Sequence, residues 1–197
     1  MEAVKGGASP EPASSASAPA RRTPHERLLA VGLKPIGRAS DFADQIHGLM
    51  AKTPLFSGLD MDETRKLGTF MYVYEAPPGV TVINEGEAGD FMMLLMQGMV
   101  DVLRRNRYNY PSRIAVAHAG HSLGEMSMFD GEPRFASCVT LENSRIAVLT
   151  RDALMLVLGD EPALGNKILL KLVQLLSERL RQTSAKLVSY LEAARDA

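Results

Sequence analysis

The stretch "GHSLGEMSMFDGEPRFAS", residues 120–137, decides how the rest of the chain is read. It places a carboxylate, Glu125, and a guanidinium, Arg134, among small and apolar residues, with the turn "DGEP" between them. A guanidinium and free backbone N–H donors suit an anion such as a phosphate. A carboxylate is a strong acceptor for a sugar hydroxyl. "LGEMSMF" has the length of one helical turn after Gly124, whose lack of a side chain allows close backbone approach. The turn then brings Arg134 back beside Glu125, and Ala136 keeps that wall small. Two residues alone fit a surface Glu–Arg pair equally well. The ordered set G-E-M-S-M-x4-P-R-x-A-S is far more restrictive.

On both sides of this stretch, from Thr69 to Thr150, short apolar runs alternate with turn clusters. Examples are "TFMYVYEA", "PPGV", "FMMLLMQG", "RIAVAHA" and "SRIAVLT". Strand-length units punctuated by Gly, Pro, Asn and Asp predict a mainly β fold, an antiparallel jelly-roll barrel. Helical periodicity flanks it. "DFADQIHGLM" puts Phe42, Ile46 and Leu49 or Met50 on one face, and Asp60 or Asp62 is positioned to cap a short helix. After Thr150 comes "RDALMLVLG", and then a run of some thirty residues opened by Pro162. In that run Leu169, Leu172, Leu176, Leu180, Thr183, Leu187 and Leu191 form a long amphipathic stripe. Its distal part calls for a second subunit, so a homodimer is expected. The expected organisation is a disordered Ala/Ser/Pro-rich tail over 1–24, a helical segment over 25–52, the β-roll over 53–150, and a hinge helix with a long C-terminal lid and dimer helix over 151–197.

Composition narrows the function. The 197 residues are 46% hydrophobic, enough for a core, and the net charge of −1 excludes a broad basic footprint for nucleic acid. One cysteine, Cys138, excludes an internal disulfide framework and is read as a buried apolar residue. No apolar run is long enough to cross a membrane, and the N-terminus lacks the apolar core of a secretory signal, so a cytoplasmic protein is expected. His118 and His121 alone are a weak metal signal. No nucleophile–base pair or paired carboxylates emerge, so no enzyme and no cofactor are expected. Lys167, Lys171, Arg179, Arg181 and Lys186 read as a solvated helix face.

The segment at 120–137 resembles the phosphate-binding cassette of the cyclic nucleotide-binding domain family, and the resemblance extends over roughly residues 53–192. "TPLFSGL" is similar to the family's N-terminal helical lead-in, and "VINEGEAGDFMMLLMQGMVDVLRR" to its central strands. "LSERLRQTSAKL" is similar to the dimer helix of the family's catabolite activator group. The resemblance implies a ligand site of Gly124, Glu125, Met126, Arg134, Phe135, Ala136, Thr183 and Ser184. In it Glu125 accepts from the ribose 2′-OH, Arg134 pairs with the cyclic phosphate, and Thr183 and Ser184 face the base. It implies cyclic AMP as ligand, with cyclic GMP second, and a regulatory protein acting through an effector protein not identified by the sequence. Two departures stand out. The residue after the arginine is usually small or hydroxylated, whereas Phe135 places a bulky ring there. The chain also does not continue into a helix-turn-helix, so no direct DNA binding is expected. The alternative is an interaction or scaffold protein of the same fold whose pocket Phe135 blocks.

Overall fold

The computed structural model describes residues 22–49 and 56–195. Of the tail expected over 1–24, residues 1–21 lie outside them, as do 50–55, where the helical segment was expected to meet the β-roll. Helix α1 spans Pro24–Ala30. Thr23 caps it, accepting from Glu26 N–H while the Glu26 carboxylate accepts from Thr23 N–H. This reciprocal box satisfies two otherwise orphaned donors. The segment expected to be helical over 25–52, broken at "KPIG", is not merely interrupted there but forms a strand. Lys34–Arg38 is strand β1, paired antiparallel with β2 (Tyr72–Ala76). The physical reason is Pro35, which disfavours helix for itself and for Lys34 but is tolerated on an edge strand. Helix resumes as α2 (Ala43–Leu49), and α3 (Met61–Thr69) is capped by Asp60 in a second reciprocal box with Glu63.

The remaining strands are β3 (Thr81–Ile83), β4 (Phe91–Gln97), β5 (Met99–Arg105), β6 (Pro111–His118), β7 (Ser122–Leu123), β8 (Ser137–Thr140) and β9 (Ser144–Thr150). Among the described residues they form two antiparallel sheets, ordered β1-β2-β9-β4-β7 and β3-β8-β5-β6. Short helix α4 (Glu125–Asp130) interrupts the strands, and α5 (Arg151–Asp160) and α6 (Pro162–Arg195) close the fold. This is the antiparallel β architecture expected from the turn spacing, with N-terminal helices and a long C-terminal helix.

Strand β4 explains why "FMMLLM" is continuously apolar. Alternate side chains point to opposite faces of a sheet, and both faces of β4 are buried. Phe91, Met93 and Leu95 pack with Val100, Ala117 and Cys138 of the other sheet. Met92, Leu94 and Met96 pack outward beneath Leu67 of α3, Leu154 and Val157 of α5, and Ile168 and Leu172 of α6. Truncating a buried leucine such as Leu94 or Leu95 to alanine costs about 2–5 kcal/mol. The first half of α6 is thereby fixed on the domain. From Leu180 onward every described residue of α6 is exposed, so the helix leaves the body after Arg179.

Candidate functional site

Strand β7 delivers the chain to Gly124, which caps α4 with φ of +84°. A β-carbon there would lie 2.7 Å from Nη1 of Arg134 and 2.9 Å from Ile83 Cδ1. Glycine is required twice over, by conformation and by space. Gly89 is constrained by space alone, since its β-carbon would lie 2.3 Å from Ser127 Cβ and 3.0 Å from the Arg134 guanidinium. Two glycines therefore make the slot that the arginine occupies.

Arg134 is only 4% exposed. Its Nη1 donates to Gly124 O at 2.6 Å and its Nη2 to Phe91 O at 2.7 Å, with the Phe91 ring 4.6 Å from the guanidinium carbon. Burial works against its charge, and the charge of Asp90 supports it. Asp90 is itself paired with Arg27 of α1. The guanidinium donates to two backbone carbonyls and makes no ion pair with a carboxylate among the described residues.

Glu125 is 1% exposed, and burial pushes its carboxyl above the ordinary range, while the Arg179 and Arg134 charges and its own backbone N–H pull the other way. Oε1 accepts from Arg179 Nη1, whose Nη2 also donates to Ser122 O at 3.0 Å. Oε2 is buried with no hydrogen-bond partner among the described residues. A buried acceptor left open is costly and calls for a donor. Glu125 and Arg134 line one cavity of about 340 Å³, within the range of small-molecule sites. Its walls are mostly apolar, including Ile83, Val102 and Ile114, and Gly124, Met126, Phe135 and Ala136 complete its rim.

Six of the eight sequence-expected residues thus meet at one cavity. Thr183 and Ser184 do not. Both are exposed on α6, and from that helix Arg179, one turn earlier, is what reaches the cavity. The reading of Arg179 as part of a solvated face is corrected: it holds the buried carboxylate. Lys167 is likewise engaged, pairing with Glu63 at 2.6 Å. The Phe135 ring stands at the rim, half exposed, with the Arg104 guanidinium 3.7 Å above it, and the cavity stays open. Cys138 is buried in the inter-sheet core, and burial pushes its thiol up to about 12. Of the methionines, 92, 93, 96 and 128 fill core, whereas Met126 lies at the cavity.

Sequence reasoning missed Gly89 and Arg151. Gly89 was legible only as a turn residue in "EGEAGD". Arg151, the first residue of α5, donates from Nε to Met128 O at 2.7 Å and from Nη2 to Ser127 O at 3.1 Å. Its backbone N–H donates to Asp90 O at 2.8 Å. The helix after the β-roll is thereby tied to the end of α4 and to the loop beside Arg134.

The β-roll thus carries a glycine-capped turn, a buried arginine and a buried carboxylate with one open acceptor on a single cavity. Comparison with known proteins gives the class. Residues 74–160 match the profile of the cyclic nucleotide-binding domain. A crystallographic cyclic nucleotide-binding domain from Methylobacillus flagellatus KT is 38% identical with a TM-score of 0.72, covering 79% of this chain and 88% of its own. The CRP-like cAMP-activated global transcriptional regulator of Mycobacterium tuberculosis is 28% identical over 143 residues, 73% of this chain and 62% of the regulator. A cAMP-dependent protein kinase regulatory subunit of Yarrowia lipolytica is 29% identical over 112 residues, 57% of this chain and 29% of that subunit. The chain belongs to the cyclic nucleotide-binding domain family. It spans less than two thirds of the mycobacterial regulator's length. No helix among the described residues is long and apolar enough to cross a membrane.

Proposed function

We propose that this chain is a cyclic nucleotide-binding regulatory protein that takes cyclic AMP, with cyclic GMP second, and passes the signal to a partner protein. The observation that carries this reading is that the Arg134 guanidinium and Glu125, whose Oε2 is unpartnered among the described residues, line one cavity. A cyclic phosphate takes the first and a ribose 2′-OH donates to the second. The protein acts as a cytoplasmic homodimer through α6, and Thr183 and Ser184 then face the base, in part across the dimer. No catalytic step is assigned to it. Binding biases α5 and α6 through Arg151, which grips the carbonyls at the end of α4. Coupling of this kind is typically about 1–3 kcal/mol. A blocked-pocket scaffold is the less favoured reading, because the Phe135 ring lies at the rim under Arg104.

Calorimetric titration with cyclic AMP and cyclic GMP tests the proposal. Micromolar or tighter binding to either, weakened roughly 10- to 100-fold or more by Arg134→Ala, is expected. Absence of heat and of any thermal shift with both nucleotides overturns it.

A further inference from the structure

Residues 104–115 are exposed without a break. They form the tip of the β5–β6 hairpin, and β6 is an edge of the four-stranded sheet. Arg104, Arg105, Arg107 and Arg113 cluster here in a chain whose net charge is −1. Tyr108 and Tyr110 stand 64% and 69% exposed beside them. The acids nearby are already engaged: Asp101 pairs with Arg113, and Glu85 accepts from the Arg105 backbone N–H. Among the described residues Arg104, Arg105 and Arg107 make no ion pair.

The tip is held in shape by its own bonds. Asn106 Oδ1 accepts from the N–H groups of Tyr108 and Tyr110, and Asn106 N–H donates to Tyr110 O. Asn109 takes the left-handed conformation, φ of 64°, that asparagine tolerates in tight turns. Two tyrosines are thus presented to solvent on an ordered turn that the core does not need. Tyrosine and arginine are the side chains that most often carry protein interfaces. Pro111 and Arg113 on β6 obstruct addition of a further strand, so contact is made by side chains at the tip.

Charge decides the partner. Nucleic acid or an anionic bilayer rewards a broad basic surface, whereas here a small basic tip stands on a body of net negative charge. We propose that the β5–β6 tip docks an acidic segment of a partner protein, with Arg105 and Arg107 pairing its carboxylates and Tyr108 and Tyr110 packing on its apolar side chains. The surface adjoins the nucleotide cavity, because Arg104 lies over Phe135 and Ile114 lines the cavity wall. The proposal goes beyond the nucleotide reading and stands whether or not the cavity takes a nucleotide.

The test is selection of random dodecapeptides on the full chain without nucleotide, followed by fluorescence anisotropy of the best binder. The expected result is enrichment in Asp and Glu, salt-sensitive binding, and at least about tenfold weaker binding to a variant carrying Arg107→Ser, Tyr108→Ser and Tyr110→Ser. The thermal melt of that variant should match the parent; if it does not, Tyr108→Ser alone serves. Selection without acidic enrichment overturns the proposal, as does equal binding to the variant. So does hairpin-dependent retention of oligothymidylate or of phosphatidylserine-containing vesicles with no acidic peptide bound.

Discussion

Arg179 of α6 pairs with Glu125 of α4 across 54 residues of sequence, and the carboxylate it holds is almost wholly buried. Both residues line the cavity, so the long helix contributes a charge to its wall.

Glu125 sets a pH dependence. Burial raises its carboxyl above the ordinary value of 4.5, so the folded state binds this proton more tightly than the unfolded state. The stability this contributes is full below the ordinary value and is lost as pH rises through the raised one. Glu125→Gln should therefore gain stability relative to the parent as pH is raised through the weakly acidic range. Thermal melts of both proteins across that range check this; a constant difference would show that Glu125 does not titrate there.

Arg179→Ala removes a charge that favours ionised Glu125. The carboxyl of the variant should rise further, and nucleotide binding should fail at a higher pH than in the parent. Affinity measured against pH for both proteins gives the shift directly. Coincident profiles would mean that Arg179 does not govern the ionisation that binding requires.

Gly89→Ala should damage both fold and site. Its β-carbon would press on Ser127 and on the Arg134 guanidinium. Overpacking of this kind costs about 1–3 kcal/mol. Denaturant melts should show that loss, and calorimetry should show weakened nucleotide binding in the fraction that remains folded. Melting unchanged from the parent would mean that the slot relaxes freely.

The outer half of α6 carries Leu180 at 68% exposure, with Leu187 and Leu191 also exposed about two and three turns on. If α6 forms the proposed homodimer, Leu180→Glu with Leu187→Glu should convert it to a monomer in sedimentation analysis, because charges in an apolar helix seam are costly. The domain melt should change little, since these residues lie beyond its core.

The antiparallel fold and the centre of the cassette were legible from sequence because their signals are local. Glycine at 124 and the turn "DGEP" depend on the backbone preferences of the residues themselves, and they bring Glu125 and Arg134 together over a short loop. Turn spacing gave the strands for the same reason, and "KPIG" marked a break in the helical pattern, although the edge strand Lys34–Arg38 was missed. The partners of these residues were not legible. Periodicity identifies an amphipathic stripe on α6 but does not say where that helix docks, so Arg179 looked like any solvated arginine, and that it, rather than Thr183 or Ser184, lines the cavity within one chain was not legible. Where α6 lies is set by many apolar contacts, from Leu164 to Leu175, against both the sheet and α5. Chain-local chemistry determines a turn and the residues it carries; which distant charge closes over that turn is decided by how rigid elements pack.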